Sequence, residues 1–279
     1  MKNIIYTFLI VSLFVSCKSN TKQVGSDSTN KIKAIANQTQ VLIKKFKPII
    51  QGVWIKRDYL EKIIQTKSVA AADDKKNGVT EMYINTDSIH SDSIVLLAGY
   101  FNHDSGDVII RFRPGKEPSS IEFNNGSLSY SILHGDTTIT ISEYDEHKKQ
   151  IVKTTFTRVL KQQSEDNLEH GMTYAINRCI ISGNYIMADT TAKISRVVFT
   201  NDGKVSGFLN FNKYQVAFDL NEGPMENLDE IYFDARTKNH KSFSFKINND
   251  TLGLYTEYPN ADSTELILGK RVYKLVKQK

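Results

Sequence analysis

The chain has 279 residues, of which 40% are hydrophobic and 24% charged, and it carries 36 Lys and Arg against 31 Asp and Glu. This composition excludes an intrinsically disordered protein, and two Cys are too few for a disulfide-stapled scaffold. The formal net charge of +5 is small, and no stretch interleaves basic with aromatic residues on a docking face, so no nucleic-acid partner is expected. The length allows one large domain or two small ones.

A signal peptide for export is predicted at residues 1–16. A positive start at residues 1–3 precedes a largely apolar stretch, 4–15, that is too short for a membrane span of about 20 residues. Ser16 immediately before Cys17 resembles the lipobox of bacterial lipoproteins, in which the Cys is acylated and becomes the new N-terminus. This resemblance implies lipidation of Cys17, a bilayer as partner and an outer-membrane location, on its periplasmic or surface face. An ordinary signal peptide with a coincidental Cys is the alternative.

The second thiol, Cys179, has no partner if Cys17 is acylated, because exported Cys residues that can pair are usually oxidised. We expect Cys179 to be buried as a small hydrophobic residue beside Ile180 and Ile181. A nucleophilic or metal-binding role is the alternative.

Two segments precede the main fold. Residues 17–30 are predicted to form a flexible tether, because residues 18–30 contain only one aliphatic side chain. Residues 31–48 are predicted to form an amphipathic helix that ends at Pro48. Its apolar stripe consists of Ile32, Ile35, Leu42, Ile43 and Phe46. We expect the helix to cover the fold that follows; a partner-binding helix is the alternative.

From residue 53 onward, apolar residues alternate with polar ones in short runs separated by turn residues, which predicts strands joined by hairpins. The first eight runs are 53–56, 81–85, 94–100, 108–113, 120–123, 128–133, 138–144 and 151–160. After a polar interval come eight more, at 177–187, 196–200, 205–211, 215–220, 230–234, 242–247, 251–258 and 271–276. An antiparallel sheet of this kind has to close or pair to remove its edges.

A helix is expected directly after the first strand. Asp58 and Glu61 have the spacing of a capping box, and Leu60, Ile63 and Ile64 recur at helical spacing. We expect this helix to plug or cover one end of the first sheet.

The two sets of strands show weak repetition. Gly52 and Trp54 align with Gly183 and Tyr185, and the segment beginning at Arg158 aligns with that beginning at Lys274. The alignment favours a duplication, with one barrel at 49–162, a linker at 163–176 and a second barrel at 177–279. One long meander, or one larger merged sheet, is the alternative.

Gly52-x-Trp54 at the first strand, eight up-and-down strands and Arg158 in the last strand resemble the lipocalin and fatty-acid-binding superfamily, and more closely the lipocalin-like lipoproteins of Bacteroidota. The resemblance implies an all-β fold of two tandem eight-stranded antiparallel barrels. It also implies that Trp54 closes the first barrel floor beneath Arg158. A guanidinium stacked on this ring should lie within about 6 Å of its centroid.

Residues with catalytic chemistry are sparse. None of the familiar zinc, nucleotide-binding or nucleophile motifs occurs, so no catalytic residue, metal or cofactor is expected. The densest polar group is Tyr100, Asn102, His103 and Asp104, which could bind a polar ligand head or transfer protons at a barrel mouth. A hairpin turn rich in turn-forming residues is the alternative. An acidic loop could hold calcium, although a solvated loop is favoured; it contains Asp219, Glu222, Glu226, Asp229 and Glu230.

Three functions follow from this reading. An eight-stranded barrel is either filled by its own side chains or holds one small ligand. The leading hypothesis is a tethered, non-enzymatic module that binds a small apolar or amphipathic ligand. The alternatives are a filled scaffold that contacts another envelope protein and, third, a hydrolase that uses His103. Aromatic side chains expected inside the first barrel are Tyr83, Tyr100, Phe112, Phe123, Tyr130 and Phe156.

Overall fold

The computed structural model describes residues 25–101, 104–163, 168–188, 196–219 and 225–279, and within them the chain forms three α-helices and sixteen strands. The helices are α1 (Gly25–Ile50), α2 (Arg57–Thr66) and α3 (Leu168–Ile180). The first eight strands are β1 (Gly52–Lys56), β2 (Val79–Ile84), β3 (Ser93–Tyr100), β4 (Asp104–Pro114), β5 (Ile121–Phe123), β6 (Gly126–Leu133), β7 (Asp136–Asp145) and β8 (Gln150–Leu160). The second eight are β9 (Gly183–Met187), β10 (Arg196–Phe199), β11 (Val205–Ser206), β12 (Tyr214–Val216), β13 (Glu230–Phe233), β14 (Lys241–Asn248), β15 (Thr251–Pro259) and β16 (Leu266–Lys277).

Strands β1–β8 form a closed antiparallel barrel, called barrel 1 below. Each strand pairs with its neighbour in the chain, and β1 also pairs with β8, so that Trp54 lies between Met82 on one side and Arg158 on the other. Closure leaves no edge strand to attract another chain. The predicted all-β, up-and-down architecture is confirmed.

Strands β9–β16 form the second sheet, called barrel 2, in the order β11-β10-β9-β16-β15-β14-β13-β12. Its two end strands meet at a bridge between Lys204 and Lys213. Two backbone hydrogen bonds flank the bridge, from Val205 N–H to Asn212 C=O at 2.9 Å and from Tyr214 N–H to the Gly203 carbonyl at 2.7 Å. The sheet therefore curls into a barrel-like form. Among the described strands, none of the first sheet pairs with one of the second, so the merged sheet is excluded.

Helix α1 is longer than expected at both ends. It begins at Gly25, within the segment expected as tether, and it runs two residues past Pro48. Proline removes one backbone donor from a helix, which usually ends or kinks it. Here Phe46 and Ile50 are fully buried against barrel 1, and this packing holds the last turn in place.

Helix α2 forms where predicted and contacts β1 and β8 of barrel 1, and it also packs into a core shared with barrel 2. The expected capping box is absent in the described structure: Asp58 accepts from the Tyr59 N–H at 2.9 Å, and Glu61 pairs with Arg57 at 2.7 Å. Tyr59, Leu60 and Ile63 are buried in one cluster with the inner face of barrel 2. Both barrels belong to one compact unit, residues 39–279, and α2 is part of their common core.

Helix α3 is the main departure from the sequence reading. It occupies most of the interval expected as a linker. It also takes in the first four residues of the strand expected at 177–187, because the chain is helical to Ile180 and extended only from Gly183. Met172, Ala175, Ile176 and Ile180 recur at helical spacing and are buried. The helix packs against the outer face of barrel 1 and against barrel 2, so its burial on two sides stabilises it.

Candidate functional site

The interior of barrel 1 is filled by its own side chains. Trp54, Phe112, Phe123 and Phe156 are fully buried there, and Phe46 of α1 packs against them. Tyr83, expected in the interior, instead packs on the outside of β2 against the core shared with barrel 2. The alternation of β2 places Met82 and Ile84 inside and Tyr83 outside.

The interior of barrel 2 is filled by an aromatic cluster. Phe208 lies at its centre, with its ring centroid 5.1 Å from that of Phe233 and 5.2 Å from that of Tyr273. Phe199 and Tyr214 make an edge-to-face contact at 4.9 Å on one side. Within the described part of the chain, a ligand in either interior would have to displace these close-packed side chains, which is costly.

The floor of barrel 1 brings Trp54 and Arg158 together. The Arg158 Cζ atom lies 5.4 Å from the Trp54 ring centroid, inside the expected distance of about 6 Å. Both side chains also bind the end of α1: Trp54 Nε1 donates to the Ile50 carbonyl at 2.7 Å, and Arg158 Nη1 donates to the Ile49 carbonyl at 3.1 Å and to that of Gln51 at 3.4 Å. Helix ends leave carbonyls without partners and carry partial negative charge, so a cation is favourable here. The pair joins the helix to the barrel floor.

Gly52 makes room for this pair. Its φ angle is 134°, and a Cβ atom there would lie 2.5 Å from the Leu160 carbonyl oxygen and 2.8 Å from Arg158 Cδ. Only glycine allows the arginine stem to cross β1 at this point.

Barrel 2 repeats the arrangement with different chemistry. Gly183 has a φ angle of 146°, Tyr185 OH donates to the Ile181 carbonyl at 2.6 Å, and Lys277 Nζ lies 5.7 Å from the Tyr185 ring centroid. Tyr185 and Lys277 are cross-strand partners, as Trp54 and Arg158 are. The basic residue of the second floor is therefore Lys277, and the alignment of Lys274 with Arg158 was wrong. Strand register, not sequence similarity, decides the match.

The polar group expected at a barrel mouth is partly described. Tyr100 ends β3 and Asp104 begins β4, and the two are cross-strand partners in the hairpin. Asn102 and His103 lie outside the described residues, as does Cys17. Burial, and to a lesser degree the charge of Glu143, raises the pKa of Tyr100. Asp104 is exposed, and the arrangement of these two is that of a hairpin turn.

A surface groove on the outer face of β2 and β3 had not been predicted. This β2–β3 groove encloses about 240 Å³ and is lined by Tyr83, Asn85, Ser88, Val95, Leu96, Leu97 and Gln163. Val95 is 60% exposed and Leu97 44% exposed, although both are aliphatic. The sequence carried a signal for it, since residues 94–98 are apolar on both faces of a strand that has only one face in the core.

Glu81 is a buried carboxyl group that sequence reasoning also missed. It is 4% exposed, it faces α3, and it accepts a hydrogen bond from the Met172 backbone. Its Oε1 atom is buried without a hydrogen-bond partner among the described residues. Gly171 lies against it, where a Cβ atom would meet both Val53 and Glu81. Burial raises the pKa of Glu81 well above its ordinary value, and the negative charge of Glu169 adds to the rise.

The acidic loop expected as a calcium alternative is tied to the protein. Asp229 Oδ1 accepts from the backbone of Val69 at 2.7 Å and of Ala70 at 3.1 Å, while Glu222 falls outside the described part of the chain. Within that part, no group of three or more His, Cys, Asp or Glu side chains is arranged to hold a metal ion. Burial and the neighbouring Glu257 raise the pKa of Glu230 to about 7.

Cys179 is a free, partly buried thiol. Burial raises its pKa, which keeps it in the less reactive protonated form. None of the helices in the described ranges is both long and apolar enough to cross a membrane. Comparison of the chain with protein-family models and with curated proteins gave no match.

Proposed function

We propose that this chain is an exported lipoprotein, tethered by Cys17, whose two filled barrels form a scaffold that binds another envelope protein. The observation that carries the proposal is the combination of side-chain-filled interiors with exposed aliphatic residues outside. A filled barrel has no room for a ligand, whereas exposed apolar residues around a groove are typical of contact surfaces. The tether rests on the sequence of residues 1–17 and on its resemblance to a lipobox.

The β2–β3 groove is the proposed contact surface. Full burial of a Val or Leu side chain contributes about 1.5 to 3 kcal/mol, so a partner that covers both Val95 and Leu97, each already partly buried, gains on the order of 2 to 3 kcal/mol. Tyr83, half-buried at the groove wall, adds an aromatic surface of the kind enriched at interfaces.

A small apolar ligand in this groove is the second candidate. The volume of the β2–β3 groove, about 240 Å³, lies just below the range of roughly 300 to 1,000 Å³ that is usual for small-molecule sites. This candidate retains the ligand-binding hypothesis but moves the ligand from the barrel interior to the outer surface.

Site-specific photo-crosslinking in the native envelope separates the two candidates. A benzophenone amino acid at position 95 or 97 should form a discrete higher-mass adduct with one protein, and the same probe at Ile132, which is 52% exposed on β6, serves as the matched control. Equal labelling at all three positions contradicts the scaffold proposal. Native mass spectrometry of the same preparation should show no retained small molecule.

A Cys17→Ser variant should lose the acyl mass and leave the membrane fraction; an unchanged distribution between membrane and soluble fractions contradicts the tether.

A further inference from the structure

The floor of barrel 2 contains a small cavity that the scaffold function does not use. It encloses about 160 Å³ and is lined by apolar side chains together with Lys67, Tyr185, Asn249, Asp250 and Lys277. We call it the Lys67–Lys277 pocket. It lies where α2 and α3 end beside the hairpin between β14 and β15.

The two barrel floors use their cations differently. In barrel 1, the Arg158 guanidinium is occupied by the carbonyls of Ile49 and Gln51 at the end of α1. In barrel 2, the tyrosine hydroxyl itself takes the Ile181 carbonyl. The Lys277 ammonium then has only the face of the Tyr185 ring, and within the described structure it has no oxygen acceptor at hydrogen-bond distance.

A second cation enters this pocket from α2. Lys67 follows the last turn of α2 in the left-handed conformation, with a φ angle of 56°. Its Nζ atom donates to the Cys179 carbonyl at 2.7 Å. An ammonium group has three donors, so two remain for another acceptor.

The charges in the pocket do not balance. Two ammonium groups face one carboxylate, Asp250, which is exposed and forms no ion pair within 4 Å among the residues described. Both lysines line the same pocket. Burial and the nearby charge of Lys67 lower the pKa of Lys277, and the charge of Asp250 acts in the opposite direction. Gly183 accommodates the lysine stem, since a Cβ atom there would lie 2.5 Å from Lys277 Cε. An anion between the two lysines would satisfy their free donors and offset their repulsion.

We propose that the Lys67–Lys277 pocket binds a small tetrahedral oxyanion, either inorganic phosphate or a phosphate monoester. The cavity has room for such a group and a few waters, and lysine binds phosphate as a point charge. Phosphate in solution and the phosphate of a lipid headgroup share this chemistry.

Calorimetric titration of the full chain with inorganic phosphate, at constant ionic strength and pH 7, tests the site. We expect saturable binding that weakens about ten-fold in Lys277→Met and in Lys67→Met, because each removes one charged hydrogen bond. Asp250→Asn should bind more tightly, since it removes the competing carboxylate. Lys274→Met is the matched control, because Lys274 lies on the same strand on the opposite face, and its affinity should not change.

Lysine labelling provides a test that needs no variant. Phosphate should protect Lys67 and Lys277 of the wild-type chain from acylation, while Lys274 remains equally reactive with and without it. Parallel experiments use glycerol 3-phosphate and phosphatidylcholine vesicles that contain phosphatidic acid. They identify the source of the phosphate, since a site for a lipid headgroup protects the same two lysines only with these two probes. The proposal is overturned if none of the three probes protects these lysines more than chloride does. It is also overturned if Lys67→Met and Lys277→Met, once thermal denaturation has shown that they are folded, bind phosphate as tightly as the wild-type chain.

Discussion

Replacing Arg158 with Met tests whether the cation at the floor of barrel 1 holds α1 in place. The hydrogen bond to the Ile49 carbonyl, at 3.1 Å, is well formed, and a bond with one charged partner contributes about 1.5 to 3 kcal/mol, with the lower value expected for a half-exposed group. The contacts to Gln51 and Thr137, at 3.4 and 3.5 Å, are long and add little. The stacking on Trp54 adds about 0.5 to 1 kcal/mol. We therefore expect the free energy of unfolding to fall by about 2 to 3 kcal/mol.

Urea denaturation followed by Trp54 fluorescence measures this change, and the dependence on urea should keep its slope because the fold is retained. Lys153→Met is the control on the same strand, since its exposed ion pair with Glu117, at 3.5 Å, is worth less than about 1 kcal/mol. Arg158→Lys should fall between the two, because it keeps the charge but loses the forked donors. If Arg158→Met destabilises the protein no more than Lys153→Met does, the contacts of Arg158 with Trp54 and the end of α1 contribute nothing to stability, and the reasoning is wrong.

Three further predictions concern single residues. Folding raises the pKa of Glu81, so the native state binds more protons than the unfolded chain, and wild-type stability should fall as pH rises from about 4.5 through the folded pKa. Glu81→Gln should lack this fall in urea titrations from pH 4.5 to 8. If the two proteins give parallel stability profiles, this prediction is contradicted. Glu257→Gln removes a neighbouring carboxyl, so the pKa of Glu230 should drop below about 7 by carbon NMR, and an unchanged titration argues against the coupling. Gly52→Ala should lower the free energy of unfolding by about 1 to 3 kcal/mol, because its Cβ would meet a carbonyl oxygen at 2.5 Å and its φ angle is strained. Gly135→Ala also has a positive φ but open space around the new Cβ, so it should destabilise the protein less in thermal denaturation. Equal losses in the two variants exclude the steric explanation.

Much of the strand pattern could be predicted from the sequence, because period-two alternation and turn residues are local properties. The strand pattern left open whether the first eight strands close by themselves, and the pairing of β1 with β8 decided it. The proximity of Trp54 to Arg158 was expected from a family resemblance. The polar group around His103 remains a prediction, since its central residues lie outside the described ranges.

Helix α3, and the packing of α2 into the core shared with barrel 2, could not be predicted in the same way. Each helix is stabilised by surfaces far away in the chain: the buried side chains of α2 belong to a core with barrel 2, although α2 follows β1. Glu81 gave no sequence signal, because its burial results from α3 packing across β2. Lys277, rather than Lys274, faces Tyr185 because register is set by pairing along the strand, and one residue of shift exchanges the two faces.

The sequence by itself therefore determined the number and kind of strands, the export signal as a prediction, and the glycine–aromatic pair at the start of each barrel. These depend on residue spacing and backbone freedom within a few positions. Tertiary structure alone decided that the described side chains fill both barrels, that α2 and α3 are part of the core that connects them, and that Lys67 and Lys277 line one pocket at the second floor. Those outcomes depend on which distant surfaces meet, and packing energy between such surfaces is not encoded in any short stretch of chain.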